Sequence, residues 1–327
     1  MHRPSVRLGR AVLGLALLLA PTLAVAQEFP SRPIKLIVPF PAGGPNDIIA
    51  RTVGQRMQEL LGQPVLIDNR GGAGGVLGTD AVAKAEPDGY TIGVTSAGAL
   101  AISASLQEKI PYDPLKDLKA ITLVAKVPEI LAVAPDVKAS NVAELVALAK
   151  AKPGSISFAS SGPGSMPHLA GELFKITAGV DIVHIPYRGA APAVTDILAS
   201  QVHMVFLDVP VLLPHIRAGK LKAVAIGSPM RATSLPDVPT TAEAGFPQIE
   251  AENWYGMVAP AATPPAVVAK LHKAAVEAMQ SPEVKEKLAA QGAVLVGDTP
   301  EAFAAYIASE IEKWRKVVVA AGVKPSN

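Results

Sequence analysis

Hydrophobic residues in this chain come in short runs, cut by glycine, proline and polar residues. Ile34 to Phe40 is a mostly apolar run of strand length, broken by Pro41-Ala42-Gly43-Gly44-Pro45. Ile49, Val53, Met57 and Leu60 then recur at helical spacing up to Gly62, which predicts a helix. Pro45 suits its first turn, where a backbone N–H has no intrahelical partner to lose. Val65 to Ile67 predicts a second strand, closed by Asp68-Asn69-Arg70; the glycine-rich turn Gly71 to Gly75 leads to a helix over Val76 to Ala85, and Tyr90 to Val94 predicts a third strand.

The rhythm then repeats. Ile121 to Ala134 is apolar but interrupted by Pro128, and Asn141 with Glu144 forms a capping pair for a helix over Val142 to Lys150. Ser155 to Ser160 (strand), Leu169 to Ala178 (helix), Ile182 to Ile185, Val194 to Ala199, Val202 to Leu207 and Leu221 to Ile226 continue the alternation. Trp254 to Ala259 reads as a strand, and helices follow over Pro265 to Gln280, Pro282 to Gln291 and from Thr299-Pro300 to Gly322. Strands alternating with helices predict an α/β fold of doubly wound, mainly parallel sheets. Val127 to Leu131 and Asn253 to Met257 each join two such blocks. A chain that crosses twice implies a discontinuous first domain, 27–127 plus 250–327, and a continuous second one, 128–249, with a cleft between them.

The first 26 residues alter the charge picture. Arg3, Arg7 and Arg10 precede an apolar run, Ala11 to Ala20, too short to span a bilayer, and Ala24-Val25-Ala26 fits a small-x-small cleavage site. Residues 1–26 therefore read as a cleavable Sec-type signal peptide, which places the mature chain in the periplasm. No cysteine exists for a lipid anchor or a disulfide, and the arginines are not paired as in a twin-arginine signal. Removing the three arginines takes Lys+Arg from 30 to 27 against 28 Asp+Glu, so the formal charge goes from +2 to about −1. That balance argues against a nucleic-acid partner.

Catalytic signatures are missing. Gly72, Gly74 and Gly78 do not fit the spacing of a dinucleotide loop, no phosphate-binding P-loop or paired-histidine zinc motif occurs, and His168, His184, His203, His215 and His272 are scattered. The strongest enzyme alternative is a serine hydrolase built from Ser160, Ser161, Ser165, His168 and Asp208, but the nucleophile-elbow pattern is absent. The chain reads as a binding protein rather than an enzyme, with no cofactor and no metal.

Three segments share one design, a strand followed by Gly, Ser or Pro and then a helix start: Pro39 to Asp47, Ser96 to Ser103 and Ser160 to His168. Glycine lets backbone approach a ligand, and a helix N-terminus favours an anion. The design therefore points to anion capture by backbone, with Ser96 and Ala97 as candidates in the middle segment.

Pro39 to Asp47 (PFPAGGPND), Asp68 to Thr91, Pro111 to Leu118, Ser160 to Phe174 (SSGPGSMPHLAGELF), Pro186 to Val202 and Leu235 to Pro247 together resemble the tripartite tricarboxylate transporter substrate-binding family, also called the Bug family. The resemblance runs from about Phe29 to the C-terminal helix. It implies a periplasmic binding protein-like (type II) two-domain clamp. It also implies a monomer that holds a small organic carboxylate by backbone N–H groups and water, and that delivers it to transmembrane permease subunits; a sensing role is the alternative. Carried onto this chain, the first-domain loop is Phe40, Pro41, Ala42, Gly43, Gly44, Asn46 and Asp47, and the second-domain loop is Ser160, Ser161, Gly162, Gly164, Ser165 and His168. Tyr187, Arg188, Gly189 and Asp208 are implied to line the second-domain wall. Each side chain has a plainer use as well: Asp47 for its helix dipole, Arg188 for a structural acid, His168 as a helix cap. Leu100, Ser103 and Ala104 stand where family members often carry a His and an Asn-Pro pair, which implies a ligand with an apolar or aromatic body.

Overall fold

The computed structural model describes residues 28–106 and 110–321. The expected signal peptide, Gln27 and the helix stop at Gly322 lie outside them. In chain order the elements are β1 (Ile34–Val38), α1 (Pro45–Leu61), β2 (Val65–Asn69), α2 (Val76–Ala83), β3 (Thr91–Ser96), α3 (Ser103–Leu106), β4 (Leu118–Val133), α4 (Val142–Ala151), β5 (Ile156–Ser160) and α5 (Met166–Ala178). They continue as β6 (Ile182–Pro186), α6 (Ala190–Leu198), β7 (Met204–Asp208), α7 (Val209–Arg217), β8 (Lys222–Ile226), β9 (Glu252–Pro260), α8 (Pro265–Gln280), α9 (Pro282–Ala289), β10 (Val294–Leu295) and α10 (Pro300–Ala321).

Local chemistry sets the helix ends. α1 opens on Pro45 and stops at Gly62, whose left-handed backbone (φ +67°) lets its N–H reach the Gln58 carbonyl. Asn141 Oδ1 accepts from the Glu144 N–H at 2.9 Å while the Glu144 carboxylate accepts from Ser140, a reciprocal cap for α4. Thr299 Oγ1 accepts from the Ala302 N–H and starts α10. Among the described residues no helix is long and apolar enough to cross a membrane.

The strands join in the order β2-β1-β3-β9-β4-β7-β5-β6, with β8 and β10 also paired to β4. The ends are parallel, as expected for doubly wound units, but the centre is not: β9 lies antiparallel to both β3 and β4, and β7 antiparallel to β4. The expectation of mainly parallel sheets thus holds for the outer strands alone. The apolar run expected to break at Pro128 is one continuous 16-residue strand, β4. It pairs with β9 up to Pro128 and with β7 and β8 from Glu129 onward, so proline stands where the neighbours change. α7 was not anticipated between the last two strands of the second block.

Three apolar clusters follow this division. One draws only on residues from Ile130 to Ala251; the other two combine residues up to Val127 with residues from Trp254 onward. Met166 and Leu169 of α5 are exceptions, packing with the cluster that contains Trp254 and Phe303. The carboxyl ends of β1, β3, β5, β6 and β7 and the segments that follow them meet at one place, where open α/β sheets put their ligands.

Candidate functional site

The loop after β1 carries a clasp. Asp47, in the first turn of α1, accepts from the Gly43 N–H at 3.0 Å, from Arg51 Nε at 2.9 Å and from Asn69 Nδ2 at 2.9 Å. Asn69 also donates to the Phe40 carbonyl. Burial alone would raise the Asp47 carboxyl, but Arg51, Gly43 and Asn69 together hold it below the ordinary carboxylate range. Its carboxylate is therefore committed to shaping the loop. Ala42 and Gly43 are exposed, while Phe40, Gly44 and Asn46 face an internal cavity. Both polar atoms of the Asn46 carboxamide are buried there without a hydrogen-bond partner.

The loop after β5 is held from inside the second half. Ser165 Oγ donates to the Gly162 carbonyl at 2.6 Å, the Gly162 N–H donates to Ser160 Oγ, and the Gly164 N–H donates to His168 Nδ1 at 3.2 Å. Ser160 Oγ lies 2.6 Å from His184 Nε2, and His184 is stacked between Phe158 and His168. Burial drives His184 down to about 3, helped by the adjacent His168, which burial lowers to about 4. Burial thus keeps both imidazoles neutral at neutral pH, and Ser160 is itself fully buried. Ser161, Ser165, Met166 and Pro167 face the cavity instead.

The two loops meet. A Cβ on Gly74 (φ +63°) would lie 2.3 Å from the Pro163 carbonyl oxygen, and one on Gly98 would lie 3.0 Å from that of Gly164. Pro41 is wedged between Gly71 and Gly189, each of whose Cβ positions would approach it to 2.9 Å. Gly74 was legible only as a turn residue; its role as the point of closest approach comes from the fold. Between the loops remains a cavity of about 20 Å³, space for roughly one water molecule.

The middle candidate segment differs from its expected form. β3 passes at once into a π-helical turn over Gly98–Ile102 and then α3, so it is no open loop. Ala99 to Ile102 are fully buried, and Leu100, Ala101 and Ile102 belong to the apolar cluster beneath α10. Packing beneath α10 accounts for the apolar character of Leu100 without a ligand. Ser96 faces the cavity, and Ala97 belongs to the core.

On the second-half wall, the Tyr187 hydroxyl donates to Asp196 at 2.7 Å and Arg188 is exposed; neither lines the cavity. Ala190 does, as do Leu207 and Asp208. From β9 come Asn253 and Tyr255, whose place in the wall the sequence signalled only as an aromatic crossing point. Asn253 Nδ2 donates to Tyr255 Oη at 2.8 Å, and the Tyr255 hydroxyl donates to Asp208.

Helix starts dominate the electrostatics. α1, α5 and α6 all begin at this cavity, and none has a side-chain cap on its first turn. Their N-terminal dipoles direct positive potential toward the cavity, offset at α1 by Asp47 in its first turn, and no Lys, Arg or His lines the cavity. A larger open cavity of about 560 Å³ lies near Pro128 and Glu252, between Ser228 to Thr233 and Lys285 to Leu295, away from these helix starts.

Known proteins share this chain's sequence pattern and fold. Residues 49–323 match the model of the tripartite tricarboxylate transporter family receptor. The chain is 44% identical to protein BugT of Bordetella pertussis over 317 residues, 96% of this chain and 97% of BugT. Among solved structures, it superposes on the periplasmic binding protein BugD with a TM-score of 0.88 at 37% identity, covering 90% of this chain and 99% of BugD. An R. palustris protein solved with adipate matches with a TM-score of 0.88 at 34% identity (91% and 100% coverage). MatC of Rhodopseudomonas palustris, solved with malate, matches with a TM-score of 0.86 at 33% identity (89% and 100%).

Proposed function

The chain belongs to the tripartite tricarboxylate transporter family of receptors, and from that premise we propose that it captures a small organic carboxylate between two lobes and hands it to the permease subunits of such a transporter. The lobes are residues 27–127 with 250–327, and residues 128–249. Residues 1–26 direct export, and the mature protein works as a periplasmic monomer that performs no chemistry on its ligand.

One observation carries the reading. Three uncapped helix starts surround a cavity that has no cationic side chain but does have the unpartnered Asn46 carboxamide. Backbone N–H groups of Gly44, Asn46 and Met166 are the donors for the carboxylate, while Asp47 and His168 position their loops. The adipate and malate of the two relatives suit such a site in chemistry. A cavity of about 20 Å³ is too small for either acid, so loading requires the lobes to part and close again, as in hinged clamps.

A thermal-shift screen of mono-, di- and tricarboxylates of three to eight carbons tests this. Stabilisation by a subset of them is the expected result, and no stabilisation by any would overturn it. Loss of uptake of the identified acid on deleting the gene is expected as well; unchanged uptake would remove the transport half.

A further inference from the structure

At the crossover between the two halves, β4 and β7 place Glu129 directly opposite Asp208. Both are buried, and among the described residues neither carboxyl meets a Lys, Arg or His. Glu129 is fully enclosed, and neither of its carboxyl oxygens has a hydrogen-bond partner. Asp208 accepts from Tyr255 and, at 3.3 Å, from Asn253, and all three line the cavity. Other charged groups nearby in the fold are already committed: Asp47 on α1 to Arg51, and His168 on α5 to Gly164 and His184. The first turns of α7, which begins right after Asp208, carry no ionisable residue.

Two facing buried carboxyls without a cation cannot both be ionised. Glu129, with no donor to stabilise an anion, holds the proton; Asp208, with two donors, is the member able to ionise. Burial nevertheless lifts Asp208 to about 7, and burial with the facing Asp208 lifts Glu129 well above the ordinary range. An organic anion entering the cavity brings further negative charge against Asp208, and no cationic side chain there offsets it.

Building on the carboxylate-binding reading above, we propose that capture of an organic anion is coupled to uptake of one proton by the Asp208–Glu129 pair, which keeps the acid at the cavity wall neutral in the loaded clamp. The proton comes from solvent and is released when the ligand leaves. Affinity is then highest where Asp208 is already protonated and falls as pH rises through 7, approaching about tenfold per pH unit.

The test starts from whichever carboxylate of the screen stabilises the protein most. Its binding is followed by titration calorimetry at pH 8 in phosphate and in Tris, two buffers with different heats of ionisation, and its affinity is measured from pH 6.5 to 9. The expected result is a buffer-dependent heat equivalent to nearly one proton per ligand at pH 8, with affinity falling above pH 7. Binding with buffer-independent heat and flat affinity would overturn the coupling while leaving carboxylate capture intact. Absence of any carboxylate binding would sink both. Asp208→Asn, whatever its affinity, is expected to bind without proton uptake, and persistence of the uptake in that variant would reassign it to another group. The wild-type titration decides the matter even if the variant does not fold.

Discussion

The His168 ring lies flat on the His184 ring, with centroids 4.2 Å apart and planes within 19°. Two imidazoles in that contact must both be neutral, and burial lowers both, to about 4 and about 3. An unfolded histidine protonates near its ordinary value, so this stack contributes stability that is present in full above about 6.5 and is lost as pH falls toward 4. His184→Phe keeps the stack on Phe158 and removes one titrating ring. Urea unfolding at pH 5 and pH 7.5 should show the wild type losing more stability on acidification than the variant, by about 1 kcal/mol after allowing for partial solvent screening. Equal losses would mean that the stack does not set acid sensitivity.

Asn46 presents a different balance. Its carboxamide is buried without partners and faces the cavity. Truncation to alanine removes an unmet desolvation cost, so Asn46→Ala should unfold at the same temperature as the wild type or higher. Affinity for the identified carboxylate should fall roughly ten- to a hundredfold, the worth of a hydrogen bond to a charged group. A destabilised variant with unchanged affinity would show that Asn46 serves the fold.

Gly74 tests closure. An added Cβ would meet the Pro163 carbonyl from the opposite half at 2.3 Å. Gly74→Ala should leave both halves folded, at a local backbone cost of about 1 kcal/mol for a left-handed residue. It should lower ligand affinity by at least about tenfold and enlarge the radius of gyration in small-angle scattering, because the closed form is disfavoured. Gly43→Ala, which is strained (φ +82°) but meets no atom within 4 Å, provides the comparison, and the two variants should differ in affinity.

Both tryptophans of the chain depend on one carboxylate. Trp254 Nε1 and Trp314 Nε1 donate to Glu310 Oε2 at 2.9 and 3.0 Å, in a buried site joining β9 to α10. Glu310→Ala leaves two indole N–H groups without this acceptor and should cost about 2–4 kcal/mol, read by urea unfolding followed through tryptophan fluorescence. A loss below about 0.5 kcal/mol, typical of a surface change, would mean that water replaces the carboxylate freely.

Much of this was readable along the chain, because it depends on neighbours in sequence. α1 begins at Pro45 and ends at Gly62, and α4 begins at the Asn141–Glu144 cap, as their residue types require. The glycine and serine loops at helix starts pointed to anion capture, and Phe40, Gly44, Asn46, Ser161 and Ser165 from two of them line the cavity. Pro128 read as an interruption of the apolar run, whereas in the sheet the strand continues through it and exchanges one set of partners for another there, at the crossing Val127 to Leu131. Leu100 was ambiguous for a related reason: an apolar residue beside a loop reads the same whether it faces a ligand or a helix such as α10.

By itself, then, the sequence determined the succession of strands and helices, the turn chemistry and the loops with free helix starts, all local properties of backbone geometry and capping. The tertiary structure decided which groups meet. Glu129 and Asp208 are far apart in the chain and face each other only because β4 runs antiparallel to β7. His168 finds His184, and Gly74 finds Pro163, for the same kind of reason. Contacts between distant segments depend on sheet order and on closure of one half upon the other, and no residue spacing encodes either.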